Sequence, residues 1–239
     1  MLKKTKKFYE LNKLKELGEE KSEEDTPITW THVFHKEYLR MHSIDLKKPN
    51  DEGELETLLT LRESCRTFSE EPTKFEDISK MLLSCKIVNK ARDPEKRTYP
   101  SGGARFPVEL YLISFNIESL EKGVYHYNIL KEKLELLLKE DLQKVSREII
   151  SPYLENPAGT IVFTSAISRS EVKYGHKAYQ FSFLEAGHMG QNILLTASEI
   201  GLGACPVSGF VDDRIKNILD LTENEIPIYT ISFGKRKFK

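Results

Sequence analysis

Arg62-Glu63-Ser64-Cys65-Arg66-Thr67-Phe68 follows a short helical pattern, Glu54 to Leu61, and sets two arginines and a serine within five residues. A guanidinium donates paired, charge-assisted hydrogen bonds from a planar fork, which suits phosphate. A serine hydroxyl between two such groups bonds a phosphate or a polyol as donor or acceptor. Arg-x-Ser-x-Arg at a helix-to-loop junction therefore points to a phosphorylated cofactor. A solvated basic turn is the ordinary alternative, and the flanking sequence has to choose between them.

Downstream, Thr73-Lys74-Phe75-Glu76 reads as a capping box, and Phe75, Ile78, Met81, Leu82 and Cys85 continue it as an amphipathic helix. The polar stretch Lys86 to Tyr99, broken around Pro94, predicts a loop. Val108 to Phe115 is β-rich and apolar, as in a buried strand, and Val124 to Lys139 predicts a hairpin. Asp141 to Ile150 predicts a short helix, and Thr160 to Ala166 another buried strand. From Tyr179 to Ile200, Phe183, Leu184, Met189, Ile193, Leu194 and Ala197 keep helical spacing. That helix is apolar around most of its circumference, which predicts a central place. Gly201 to Phe210 returns to extended chain, Asp212 to Leu221 predicts a short helix and Pro227 to Phe233 a last strand. A hairpin, isolated strands and helices without regular βαβ alternation predict an α+β layered domain.

Upstream, residues 1–53 predict a helical N-terminal extension and linker, with the main domain at 54–239. Phe8, Leu11, Leu14 and Leu17 predict one amphipathic helix ended by Gly18. Trp30, Val33, Phe34, Tyr38 and Met41 predict a second, packed on the main body. His32 and His35 stand on that stripe without a third ligand, so a packed helix is the better reading than a metal site.

The chain has 239 residues with 36 Lys+Arg against 37 Asp+Glu, a net charge of −1, so no global field draws it to nucleic acid or an anionic membrane. Cys65, Cys85 and Cys205 are far apart and odd in number, which argues against a disulfide framework and for a reducing compartment. No apolar run approaches the ~18 residues of a membrane span, and no apolar core follows the basic N-terminus as a secretory signal would require. These features predict a cytoplasmic protein.

Two further segments could carry chemistry. Pro100-Ser101-Gly102-Gly103-Ala104 precedes a buried strand, and its glycines permit positive φ and close backbone approach to a ligand. Gly-Lys-Ser/Thr does not follow, which excludes a P-loop. Val207-Ser208-Gly209 comes where extended chain meets the next helix, and free N–H groups there could face the edge of a heteroatom ring. No Gly-x-Gly-x-x-Gly opens a helix after a strand, so a Rossmann nicotinamide site is not expected.

With Arg62, Ser64 and Arg66, these segments stand in the order and spacing of the flavin-dependent nitroreductase superfamily, which the chain resembles over about residues 54 to 234. The resemblance implies a nitroreductase-like layered fold: a mixed, mainly antiparallel sheet packed between helices, in a domain-intertwined homodimer. It implies FMN, with Arg62, Ser64 and Arg66 on the phosphate and ribityl chain. Ser101, Gly102 and Gly103 join the cofactor site, Val207, Ser208 and Gly209 stand beside the ring edge, and a C-terminal basic residue, Arg236 or Lys235, reaches the phosphate. A narrower resemblance is to the SagB/ThcOx-type azoline dehydrogenases, which oxidise thiazolines and oxazolines in ribosomal peptides to azoles. It is carried by Pro100 to Ala104, Pro107 to Tyr111, Gly123 to Tyr127, Leu184 to His188 with Gln191-Asn192, and Lys173-Tyr174.

Aromatising an azoline removes a hydride and a proton from adjacent carbons, so a side-chain base has to take the proton. A lysine with its pKa lowered by burial, or a tyrosinate beside an ammonium, could serve, and Lys173 and Tyr174 are the implied pair. His188 is expected to support the pocket, held by Glu185 three residues earlier, and His126 to pack between tyrosines. The implied partners are a second copy, a cyclodehydratase complex and its peptide substrate. An NAD(P)H-dependent nitroreductase or quinone reductase, or a non-catalytic member of a peptide-modifying complex, are the alternatives.

Overall fold

The computed structural model describes residues 1–18, 27, 32–48 and 53–237. Its centre is a six-stranded sheet made of β3 (Val108–Ser114), β4 (Gly123–Asn128), β5 (Lys133–Leu138), β6 (Gly159–Ala166), β7 (Leu202–Val207) and β8 (Glu225–Lys235). The order is β5-β4-β3-β6-β8-β7, and every ladder in it is antiparallel. Parallel pairing enters through isolated bridges; one of them joins Ser64 to Ala204 at the outer edge of β7.

Alternation along the inner strands explains their near-continuous apolar runs. Leu110, Leu112, Ile161 and Phe163 enter one core, while Tyr111, Ile113 and Val162 enter the other. Successive side chains of a strand point to opposite faces, so a sheet covered on both sides needs apolar residues at every position. One face is covered by α3 (Phe75–Leu83) and α5 (Ala178–Glu199). The other is covered by a π-helical turn at Ser146–Ile150 and by α6 (Asp212–Ile218). The remaining α-helices among the described residues are α1 (Lys3–Asn12), α2 (Glu54–Leu61) and α4 (Ser168–Tyr174).

Four expectations are corrected. The N-terminal helix runs over 3–12 rather than 8–17, because the chain beyond it pairs with α6. Leu14 N–H donates to Asp212 at 2.9 Å and Lys13 binds Asp213 at 2.8 Å. Thr73 does not cap α3, because its backbone bridges Ile117 instead, with its N–H on Asn116 O and its carbonyl taking Glu118 N–H. The 86–99 stretch holds a small two-stranded sheet, β1 (Ile87–Asn89) with β2 (Lys96–Arg97), too short to announce itself by periodicity. Residues 32–48 carry no helix, and Phe34, Tyr38 and Met41 are exposed there; Trp30 lies outside the described residues.

The long helix is central but not buried all round. Ser182, Glu185, Ala186, Met189, Ile193 and Ala197 face inward, while Phe183 and Leu184 remain exposed. No helix among the described residues is long and apolar enough to cross a membrane.

Candidate active site

The Arg62–Phe68 stretch is extended and tied down by its backbone. Cys65 N–H donates to Ala204 O, Phe68 N–H to Glu155 O, Glu155 N–H to Arg66 O and Ser69 N–H to Lys235 O, each at 2.9 Å. In extended chain, residues two apart share a face. Arg62, Ser64 and Arg66 therefore alternate with Cys65, whose sulfur tucks against Gly203; a Cβ on Gly203 would stand 2.7 Å from it. Neither Arg62 nor Arg66 has a side-chain hydrogen bond or ion pair among the described residues. Two unpaired guanidiniums and a hydroxyl on a rigid backbone form a donor set that fits a phosphate. Arg236 stands at the same edge, bridging Phe68 by its backbone, but its guanidinium already holds Glu63 at 2.5 Å.

Four residues beyond Ala204, roughly 13 Å along the strand, β7 ends and Ser208 lines a cavity of about 670 Å³ with Tyr9, Tyr179, Phe183 and Phe210. Val207 O accepts from the Thr230 hydroxyl at 3.0 Å. The N–H groups of Ser208 and Gly209 meet no acceptor among the described residues. Free donors at a strand end and an aromatic slot suit the heteroatom edge of a planar ring. The two ends of this edge thus fit FMN in donor type and in order.

The second cluster lies around the glycine turn. Gly103 adopts φ +63°, and a Cβ there would fall 2.1 Å from Tyr174 Oη and 3.0 Å from Lys173 Nζ. Both side chains come from the last turn of α4. The Lys173 ammonium lies 5.3 Å from the Tyr174 ring centroid, within cation–π range. Tyr174 meets Phe181 edge-on at 4.9 Å, and Phe181 in turn underlies Gly102. Lys173 is exposed, so the chain by itself does not supply the burial expected to make it a base. No hydrogen bond, ion pair or ring contact among the described residues joins this cluster to Arg62, Ser64, Arg66 or Ser208 within the chain.

Sequence reading missed what supports the turn. Ser101 Oγ accepts Phe106 N–H at 2.9 Å, and the Ser101 hydroxyl lies close enough to Glu185 to favour its ionised form. Glu185 is 2% exposed, faces Val108 N–H at 3.4 Å and leaves Oε2 without a partner. Burial pushes its carboxyl up to about 7, against the lowering effect of those contacts. Facing inward, Glu185 does not hold His188, which is exposed. Glu109 was a readable signal, a charge in an otherwise buried strand, and such a group needs a partner. His126 is that partner, and packs on Tyr111 at 5.2 Å as well.

The sequence profile of the nitroreductase family matches residues 59–235. The chain belongs to the nitroreductase family. Nitroreductase relatives include MJ1384 of Methanocaldococcus jannaschii, 25% identical over 197 residues, covering 81% of this chain and 98% of that protein. The microcin B17-processing protein McbC of Escherichia coli is 31% identical over 160 residues, covering 62% of this chain and 59% of McbC. The match therefore spans less than two thirds of McbC's own length. Among solved structures, a chain of the E. coli microcin synthetase McbBCD complex, with truncated pro-MccB17 bound, shares the nitroreductase fold at a TM-score of 0.78. It has 23% identity and covers 98% of this chain and 92% of that one.

Proposed function

We propose that this nitroreductase-family chain is an FMN-dependent dehydrogenase that converts azoline rings of a ribosomal peptide to azoles. The observation that carries the reading is the meeting of Lys173 and Tyr174 at the Gly103 turn. Likeness to a microcin B17-processing protein supports the substrate class. We take residues 54–239 as the flavin-binding domain and 1–53 as an N-terminal extension, and place the protein in the cytoplasm, where its three free cysteines stay reduced.

When bound, FMN supplies the hydride acceptor. Arg62, Ser64 and Arg66 hold its phosphate end, with Arg236 behind them. Val207, Ser208 and Gly209 present backbone donors to the ring edge, and Ser101, Gly102 and Gly103 bring backbone close to the ligand. Lys173 and Tyr174 form one proton site: either the neutral amine takes the ring proton, or the phenolate does so beside the ammonium. Because the phosphate grip and the proton site do not touch within one chain, we place them in one active site across a homodimer. The exposed Phe183 and Leu184 of α5 supply apolar surface for that contact. A cyclodehydratase complex that forms the azolines is the expected partner, in keeping with the peptide-bound McbBCD assembly that shares the fold.

Lys173→Ala and Tyr174→Phe are expected to keep FMN and lose azole formation on a heterocyclised peptide by at least about 100-fold. Arg66→Ala is expected to lose the cofactor itself, seen as a colourless protein after purification. Full turnover in both proton-site variants would remove the catalytic assignment. A second reading, an NAD(P)H-dependent flavin reductase, is favoured by the near-complete coverage of MJ1384; rapid anaerobic bleaching of the flavin by NAD(P)H would single it out.

A further inference from the structure

A chain of ionic contacts runs from the β4–β5 hairpin to the helix that carries Lys173 and Tyr174. His126 on β4 sets Nδ1 3.2 Å from Glu135 Oε2 and Nε2 3.2 Å from Glu109 Oε2. Glu109, on β3, accepts from Arg169 Nη1 at 2.5 Å, and that nitrogen also donates to Phe106 O at 3.1 Å. Arg105 Nε returns a bond to Arg169 O at 2.7 Å. Arg169 stands four residues before Lys173 on α4, one turn away on the same face. The glycine turn and α4 are thus stitched together through Arg105 and Arg169, and the stitch is anchored on Glu109.

An ionised carboxylate only accepts hydrogen bonds. An imidazole with a carboxylate oxygen facing each ring nitrogen satisfies both only as imidazolium. The neutral ring turns one of its two contacts into a lone pair against a negative charge.

We propose that His126, Glu109 and Arg169 are positioning residues that hold α4, and with it Lys173 and Tyr174, against the Gly103 turn while His126 carries both ring protons. The proposal rests on the assignment of Lys173 and Tyr174 as the proton site.

The surroundings of His126 fix the direction of the effect. Its hydrogen bond to Glu109 raises its pKa, burial opposes this, and Glu135 adds to the rise. Burial pushes the Glu109 carboxyl up, but His126 and Arg169 outweigh it and hold it below the usual carboxylate range. The other facing groups are the Tyr111 ring, whose hydroxyl donates to Glu225 at 3.0 Å, and Lys131, 3.9 Å from Glu135. Glu135 is the more exposed anchor and is screened by solvent, so the Glu109 side carries the coupling. A histidine with a raised folded pKa contributes its full stabilisation below the unfolded value near 6.5 and loses it as pH climbs through the folded value. Loosening of α4 therefore falls on the alkaline side of the unperturbed histidine range.

Amide hydrogen exchange, expressed as protection factors for residues 101–106 and 168–175 of the full chain, tests this from about pH 6 to about pH 9. The wild type is expected to lose roughly tenfold in protection across the titration of His126. His126→Gln, which keeps a hydrogen-bonding amide but cannot become a cation, is expected to show low protection throughout and no step. Turnover should show the same alkaline limb in the wild type and lack it in His126→Gln, with KM little changed. Imidazole nitrogen resonances of the wild type give an arm free of folding artefacts, with both His126 nitrogens expected to be protonated at about pH 7. A single neutral tautomer there, or a protection step that persists in His126→Gln, overturns the proposal. Exchange is read without substrate, so failure of the proton-site assignment shows separately, as full turnover by Lys173→Ala and Tyr174→Phe in a protein whose exchange still steps.

Discussion

Gly103→Ala is expected to cut azole formation by roughly two orders of magnitude while leaving most of the fold's stability in place. The added methyl would meet the Tyr174 hydroxyl at 2.1 Å and the Lys173 ammonium at 3.0 Å. Both are the free ends of side chains, so the clash relieves itself by moving them rather than by breaking the core. The left-handed φ of +63° adds a backbone cost of about 1–2 kcal/mol. That is tolerable for a domain with this much buried sheet, whereas displacing a proton acceptor by an ångström is not tolerable for catalysis. Flavin absorbance, thermal midpoint and turnover measured together check it. Wild-type turnover in the alanine variant would mean that the Gly103 contact has no part in the chemistry.

Glu185→Gln is expected to stabilise the protein at about pH 8 by about 1–4 kcal/mol and to change little at about pH 4. The wild-type carboxyl is buried, its Oε2 lacks a partner, and desolvation lifts it to about 7. For an acid raised on folding, the native state holds a proton that the unfolded chain has released. Stability therefore falls as pH rises from the unfolded value near 4.3 to the folded value, and then levels off. Each unit of difference is worth about 1.4 kcal/mol, so the full loss approaches about 4 kcal/mol. Glutamine copies the neutral acid: its carbonyl can take the Val108 N–H and the Ser101 hydroxyl, and it has no charge to strand. Denaturant midpoints at the two pH values decide it, and equal responses of wild type and variant would show that Glu185 is not the desolvated acid described here.

The layered fold was legible because strands covered on both faces write themselves as unbroken apolar runs, as in Val108 to Phe115 and Thr160 to Ala166. The long helix was legible for the same reason, although Phe183 and Leu184 are exposed, so an apolar circumference did not mean burial on every side. What periodicity could not see were features set by distant pairing. The first helix stops where Leu14 and Lys13 find α6, and Thr73 gives up a cap to bridge Ile117. Around the site, Arg62, Ser64 and Arg66 carried a spacing that reads directly as one face of an extended chain. Gly103 against Tyr174 is a contact across some seventy residues, which no local pattern encodes. Glu109 and Glu185 were visible as charges among apolar neighbours, but their partners were not.

The central claim is that this FMN-loaded chain takes a hydride and a proton from an azoline ring. Anaerobic mixing of the FMN-loaded protein with a peptide already heterocyclised to azolines tests it most directly, followed by flavin absorbance and by mass analysis of the peptide. The account predicts bleaching of the flavin band in step with the loss of two hydrogens per ring, and return of the band on admitting air. A flavin that stays oxidised over an unchanged azoline peptide, yet bleaches at once with NAD(P)H, would contradict it.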